Sequence, residues 1–172
     1  MEIALNNFRG VKSRYDYSLN FLQNYVKTYE TILDLGAKNN LSHKMKRRGF
    51  EVVNTNYDLD LEPEKLEKEF YNVVTAFEIL EHLIEPAQVL KRLSGKLLAS
   101  VPLNVWFSSP HWTTEPYEQH YQEFHPQQFD KLLRYCGWVI VKKKKVRIVK
   151  RFGIRQILSL IFPRYYFVYA VK

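Results

Sequence analysis

Along this chain the apolar positions switch repeatedly between two spacings. Between Tyr15 and Thr28, Tyr17, Leu19, Phe21, Leu22, Tyr25 and Val26 recur mostly at three- and four-residue steps, which predicts an amphipathic helix. Thr31 to Leu35 is a short apolar run closed by Gly36 and reads as a strand. Leu41 to Arg48 then reads as a helix ended by Gly49. Phe50 to Thr55, with adjacent valines, supplies a second strand. DLDLEPEKLEKEF follows as a charged helix opened by proline, and Asn72 to Phe77 as a buried-looking strand. A helix from Ile79 to Leu93 with a break near Pro86 precedes a strand from Lys96 to Val101, stopped by Pro102. The remainder reads as the helix PQQFDKLLRYCG, the strand WVIVKKKKVRI, a short helix in IRQILSLIF and a last strand in YYFVYAVK.

Strands that alternate with helices predict an α/β architecture with a largely parallel sheet and helices on both faces. A length of 172 residues suits a single domain. Residues 1–30 form its helical lead-in, and residues 102–126 form an aromatic, irregular loop much longer than a routine connection. With 46% hydrophobic residues the chain is too apolar for disorder. No apolar run reaches transmembrane length and MEIALNNFRG has no apolar signal core, so a cytoplasmic location is expected. The single cysteine, Cys136, reads as a core thiol on a helix face, and a multi-cysteine zinc site is excluded. The formal charge of +8 favours acidic partners, nucleic acid among them. Much of the excess sits in KMKRRG and KKKKVRIVKR, which a solvated helix face and an edge strand explain equally well.

In open α/β sheets, ligands bind beyond the carboxyl ends of the strands. At the first tip stand Asp34, Gly36 and Ala37, where the glycine permits a tight turn and close backbone approach. About twenty residues on, Asn56 and Asp58 are candidates for ribose hydroxyls and Asp60 for an adenine edge; a solvated turn with Asp58 and Asp60 as caps fits as well. The third tip carries FEILEHL, whose Glu78, Glu81 and His82 share overlapping faces. Two acids and a histidine suggest a metal, but further ligands are not evident in the sequence and none is assigned. The long loop adds His111, His120 and His125 among Trp106, Trp112, Tyr117, Tyr121 and Phe124. His120 is the first candidate for a base, with Glu81 beside it as the second catalytic candidate.

Together these segments resemble class I S-adenosylmethionine-dependent methyltransferases. ILDLG is similar to that family's first motif, YNVVTAFEILEHL to its third strand and following helix, and EQHYQEFHPQQFDKLLRYCGW to the histidine-bearing loop and helix of its small-molecule members. The resemblance covers about Thr31 to Ile148. It implies a Rossmann-like fold with a seven-stranded, mostly parallel sheet, an antiparallel last strand and S-adenosylmethionine as cofactor. By position, Asp34, Gly36 and Ala37 would face the methionine end, Asn56 or Asp58 the ribose, Asp60 the adenine, and Phe77 with Glu78 the cofactor's flank. His82 would brace the site. The implied activity is methyl transfer to a small-molecule or glycan-type acceptor. A catalytically inactive binding domain and an RNA methyltransferase are the alternatives. One departure stands out, since the family's first motif continues with further glycines where this chain has Ala37-Lys38-Asn39-Asn40. Asn39 or Asn40 can replace a glycine at positive φ. Lys38 would either pair with the cofactor's carboxylate or crowd its pocket.

Overall fold

The structure, a computed structural model, describes residues 14–104, 119–147 and 163–172. The helix expected in IRQILSLIF, the loop residues Trp106, His111, Trp112 and Tyr117, and the first half of the lead-in lie outside them. Helix α1 spans Arg14–Gln23, β1 Thr31–Asp34, α2 Asn40–Arg47 and β2 Glu51–Asn54. A 3-10 helix at Pro63–Lys68 leads to β3 (Val73–Phe77), and a second one at Leu80–His82 leads to α3 (Pro86–Arg92). Strand β4 (Lys96–Pro102), helix α4 (Pro126–Tyr135) and the strands β5 (Val139–Val146) and β6 (Tyr165–Val171) complete the order.

The strands form one sheet in the order β2-β1-β3-β4-β6-β5. The first four are parallel, while β6 runs antiparallel to both β4 and β5. Among the described residues the sheet therefore has six strands, which corrects the seven implied by the resemblance. Between β2 and β3, the stretch Thr55–Asn72 is taken up by a turn and the 3-10 helix, so no further strand fits there. The same segment corrects the expected α-helix in DLDLEPEKLEKEF. The helix expected from Ile79 to Leu93 is likewise split, because Pro86 can only open a helix there, at the first turn of α3.

Period-two alternation assigns the buried apolar strand residues to one of two cores. Ile32, Val52, Val73, Leu98 and Phe167 face α1 and α2, packing on Tyr17, Phe21, Leu22, Leu41 and Met45. Leu33, Val74, Ala76, Leu97, Ala99 and Val168 face the other way, against Leu66, Val89, Leu90, Phe129, Leu133 and Trp138. Covering both faces explains why the inner strands read as unbroken apolar runs. Trp138 keeps its indole N–H satisfied by donating to Leu90 O at 3.0 Å. The lysines of β5 lie on a sheet edge, where charge discourages pairing with another chain. No helix among the described residues is long and apolar enough to cross a membrane.

Candidate functional site

Parallel register determines what happens at the first strand tips. Asp34 of β1 lies opposite Asn54 of β2 and Thr75 of β3. Its carboxylate accepts from Thr75 Oγ1 at 2.6 Å and from Asn54 Nδ2 at 2.9 Å, so three strands are pinned together by one buried side chain. Burial raises the Asp34 carboxyl to about 6, against the lowering effect of the two hydrogen bonds. The next turn is made by Gly36 at φ +95°, a conformation that side chains disfavour, and its N–H donates to Thr55 Oγ1 at 2.7 Å. A Cβ added there would come within 3.2 Å of Ile79 Cδ1. The space over Gly36 is thus bordered by Ile79, while Ala37 and Lys38 are exposed.

Asn39 has φ −141° and serves as the N-cap of α2 in a reciprocal capping box with Ser42. That corrects the expectation of a glycine-like positive φ at Asn39 or Asn40. Among the described residues Glu78 is the only non-glycine with positive φ. Asn40 is instead the first residue of the helix.

At the second tip Asn56 and Asp58 are both exposed. Asp58 Oδ1 accepts from the N–H groups of Asp60 and Leu61, closing its own turn. Both oxygens of Asp60 accept from backbone, one from Ile84 and one from Glu85, each at 3.0 Å. Both carboxylates are engaged with backbone, though neither caps the 3-10 helix that follows, whose N-cap is Glu62; Asn56 is exposed as well.

The third tip carries most of the site's charge. Phe77 is half-buried against Phe167. Glu78, at φ 55°, accepts from Ser100 Oγ at 2.7 Å and meets Arg14 Nη1 at 3.3 Å. Burial raises its carboxyl, opposed by Arg14 and Ser100. Glu81, 1% exposed, is pushed well above the usual carboxylate range, first by burial and then by the neighbouring Glu78. Its Oε2 has no hydrogen-bond partner among the described residues. The Glu81 carbonyl accepts from the N–H groups of Tyr121 and Gln122 at 2.9 and 3.0 Å. This fastening carries the end of the long loop over β3 and sets His120 against His82, with ring centroids 4.8 Å apart and planes near perpendicular.

These parts line a cavity of about 330 Å³, within the usual range for small-molecule sites. Glu78, Glu81, His82 and His120 contribute to it from the predicted set, and the two ends of the long loop contribute Leu103, Asn104, Gln122 and Glu123. Leu103 bridges to Phe124, and Asn104 Nδ2 donates to Glu123 at 2.6 Å, so those ends are tied together at the cavity's mouth. His125 caps α4 rather than lining the cavity. Three lining residues escape sequence reasoning: Arg14, Arg164 and Tyr165. Arg14 is 64 positions from its partner Glu78, and nothing in spacing or composition announces that pair.

No protein-family model matches this chain, and neither does any curated protein sequence. Solved structures do match. A methyltransferase from Archaeoglobus fulgidus, described as S-adenosylmethionine-dependent, aligns over 93% of this chain and 95% of its own at 15% identity and a TM-score of 0.60. The 1,6-didemethyltoxoflavin-N1-methyltransferase of Burkholderia thailandensis, solved with bound 1,6-didemethyltoxoflavin and S-adenosylhomocysteine, aligns over 94% and 79% at 14% identity and a TM-score of 0.63. The 4+2 cyclase SpnF aligns over 99% and 85% at 12% identity and a TM-score of 0.60. At such identities the likeness concerns architecture, and on that evidence this chain has the class I S-adenosylmethionine-dependent methyltransferase fold.

Proposed function

We propose that this chain is a single-domain S-adenosylmethionine-dependent methyltransferase acting on a small-molecule acceptor. The observation that carries the reading is the cavity at the carboxyl ends of β3 and β4, lined by Glu78, Glu81 and His120. It lies where α/β sheets bind ligands, and its size suits a small acceptor rather than a polymer surface. The cofactor's chemistry fits the neighbouring residues. Gly36 offers an approach without a side chain, the exposed Asn56 can donate to or accept from a ribose hydroxyl, and the acids at the third tip favour a cationic ligand. When bound, S-adenosylmethionine supplies an electrophilic methyl group on a sulfonium.

The chain's own part is positioning and proton management. Holding an acceptor in line at short range is worth up to about 7–11 kcal/mol in favourable cases. Arg14 neutralises Glu78, so the cavity floor is not left with two adjacent uncompensated carboxylates. Glu81 and His120 are the groups placed to take a proton from an acceptor O–H or N–H. The side chain of Ile79 close beside Gly36, 3.2 Å from where a Cβ would stand, together with Asp58 and Asp60 committed to backbone, favours a second reading as a catalytically inactive binding domain.

Transfer of a labelled methyl group from S-adenosylmethionine separates the two. Label entering the small-molecule fraction of an extract supports the enzyme reading. Label entering RNA alone, or no transfer by folded protein, overturns it.

A further inference from the structure

The cavity brings together a donor set that sequence spacing did not complete. Glu81, His82 and His120 each offer one ligand atom, and these atoms lie within 4.8 Å of one another. We propose that the three residues bind a divalent first-row transition ion such as zinc, with open coordination positions facing the cavity.

Three observations converge on this site. The first is Glu81, whose side chain is almost wholly buried while its Oε2 lacks a partner among the described residues. A buried carboxylate oxygen left unsatisfied is costly, and a cation removes that cost. The second is the tautomer of His82. Its Nδ1 lies 3.0 Å from Gln119 O, and since a carbonyl can only accept, Nδ1 carries the hydrogen. The lone pair then falls on Nε2, the atom 3.9 Å from Glu81 Oε1. A ring N–H anchored on a backbone carbonyl is the usual second support of a metal-ligating histidine. The third is His120, delivered edge-to-face against His82 by the two backbone hydrogen bonds from Tyr121 and Gln122 to the Glu81 carbonyl.

The donor chemistry selects the ion. Two imidazoles and one carboxylate suit zinc, iron, cobalt or nickel better than magnesium or calcium, which prefer oxygen. Bonds of about 2.0–2.2 Å place tetrahedral ligand atoms roughly 3.3 Å apart, so the set closes by about 1.5 Å at its widest edge on binding. Arg14 already balances Glu78, which leaves the charge of Glu81 for the ion. Three protein ligands leave a position for water or for an oxygen of the acceptor, and an ion there lowers the pKa of what it binds. In that state Glu81 and His120 act by holding the ion rather than by taking the proton themselves.

The inference concerns the same cavity as the proposed methyl transfer but stands on side-chain geometry, so loss of one reading leaves the other testable. The full chain is stripped with chelator and titrated with Co²⁺, read by visible absorption, then with Zn²⁺ in competition. The expected result is one equivalent of Co²⁺ with imidazole-type absorption, displaced by Zn²⁺, and weakened roughly tenfold or more in both His120→Ala and Glu81→Gln. His43→Ala, an exposed site on α2, leaves binding unchanged. Circular dichroism identifies any variant that fails to fold, and the folded one of the pair then decides. Absence of binding by the folded parent, affinity unaltered in a folded ligand variant, or preference for Mg²⁺ over Zn²⁺ each overturns the proposal.

Discussion

Asp34 shows how one residue can look like a ligand group and act as a structural pin. Both its oxygens are occupied by Asn54 and Thr75, and its carboxyl titrates at about 6 rather than at the ordinary 3.8. A pKa raised on folding means that the protonated form favours the native state. The associated stability is complete below pH 3.8 and is lost as the pH rises to about 6. That difference is worth ~3 kcal/mol. Asparagine at this position can accept from Asn54 and donate to Thr75 Oγ1, keeping both bonds without the charge. Urea unfolding should therefore show the stability of Asp34→Asn gaining ~3 kcal/mol on the parent between pH 3.8 and pH 7; a constant difference across that range contradicts the assignment. At the cavity, His120→Ala is expected to lower the methyl-transfer rate by roughly 100-fold while cofactor affinity changes little. A loss confined to cofactor affinity would move His120 from the acceptor side to the cofactor side.

The elements around the first turn show what local sequence can and cannot reveal. The strand ILDLG was legible because an apolar run ending in glycine has few other readings, and β1 with Gly36 lies where that pattern puts it. The loop after it is ambiguous in one respect. Asparagine is compatible both with positive φ and with helix capping, and the choice depends on where Ser42 falls in the first turn of α2. Asn39→Ala removes two side-chain acceptor contacts, to Leu41 and Ser42, and should cost about 1 kcal/mol in denaturant unfolding. Gly36→Ala meets both an unfavourable φ and the Ile79 side chain at 3.2 Å. Its expected cost is larger, about 1–3 kcal/mol, and weaker cofactor binding should accompany it. An alanine variant as stable as the parent would show that the turn relaxes freely. The split after β3 was half legible, since Pro86 marks the break but not the 3-10 geometry of Leu80–His82 before it.

At the scale of the molecule, the alternation of periodicities gave the layer order, and each strand read from the residues appears in the sheet. The seventh strand came from the resemblance and has no counterpart among the described residues. The cavity was legible only in pieces. FEILEHL and His120 both stand out in the sequence, but their meeting depends on hydrogen bonds from Tyr121 and Gln122 to Glu81, a contact across the fold that no local pattern encodes. Arg14 and Tyr165 join from opposite ends of the chain for the same reason. The described parts of the basic runs separate from this site. Lys142–Lys145 lie on β5 at the sheet edge, with Lys143 paired to Asp130 at 2.5 Å, and Lys44 on α2 pairs with Asp16 at the same distance. The methyl transfer proposed for the site depends on the strand tips binding the cofactor. Isothermal titration of the folded chain with S-adenosylhomocysteine tests it most directly. Saturable binding at a single site, weakened in Gly36→Ala, is the predicted result, and no heat of binding from well-folded protein at millimolar ligand would contradict it.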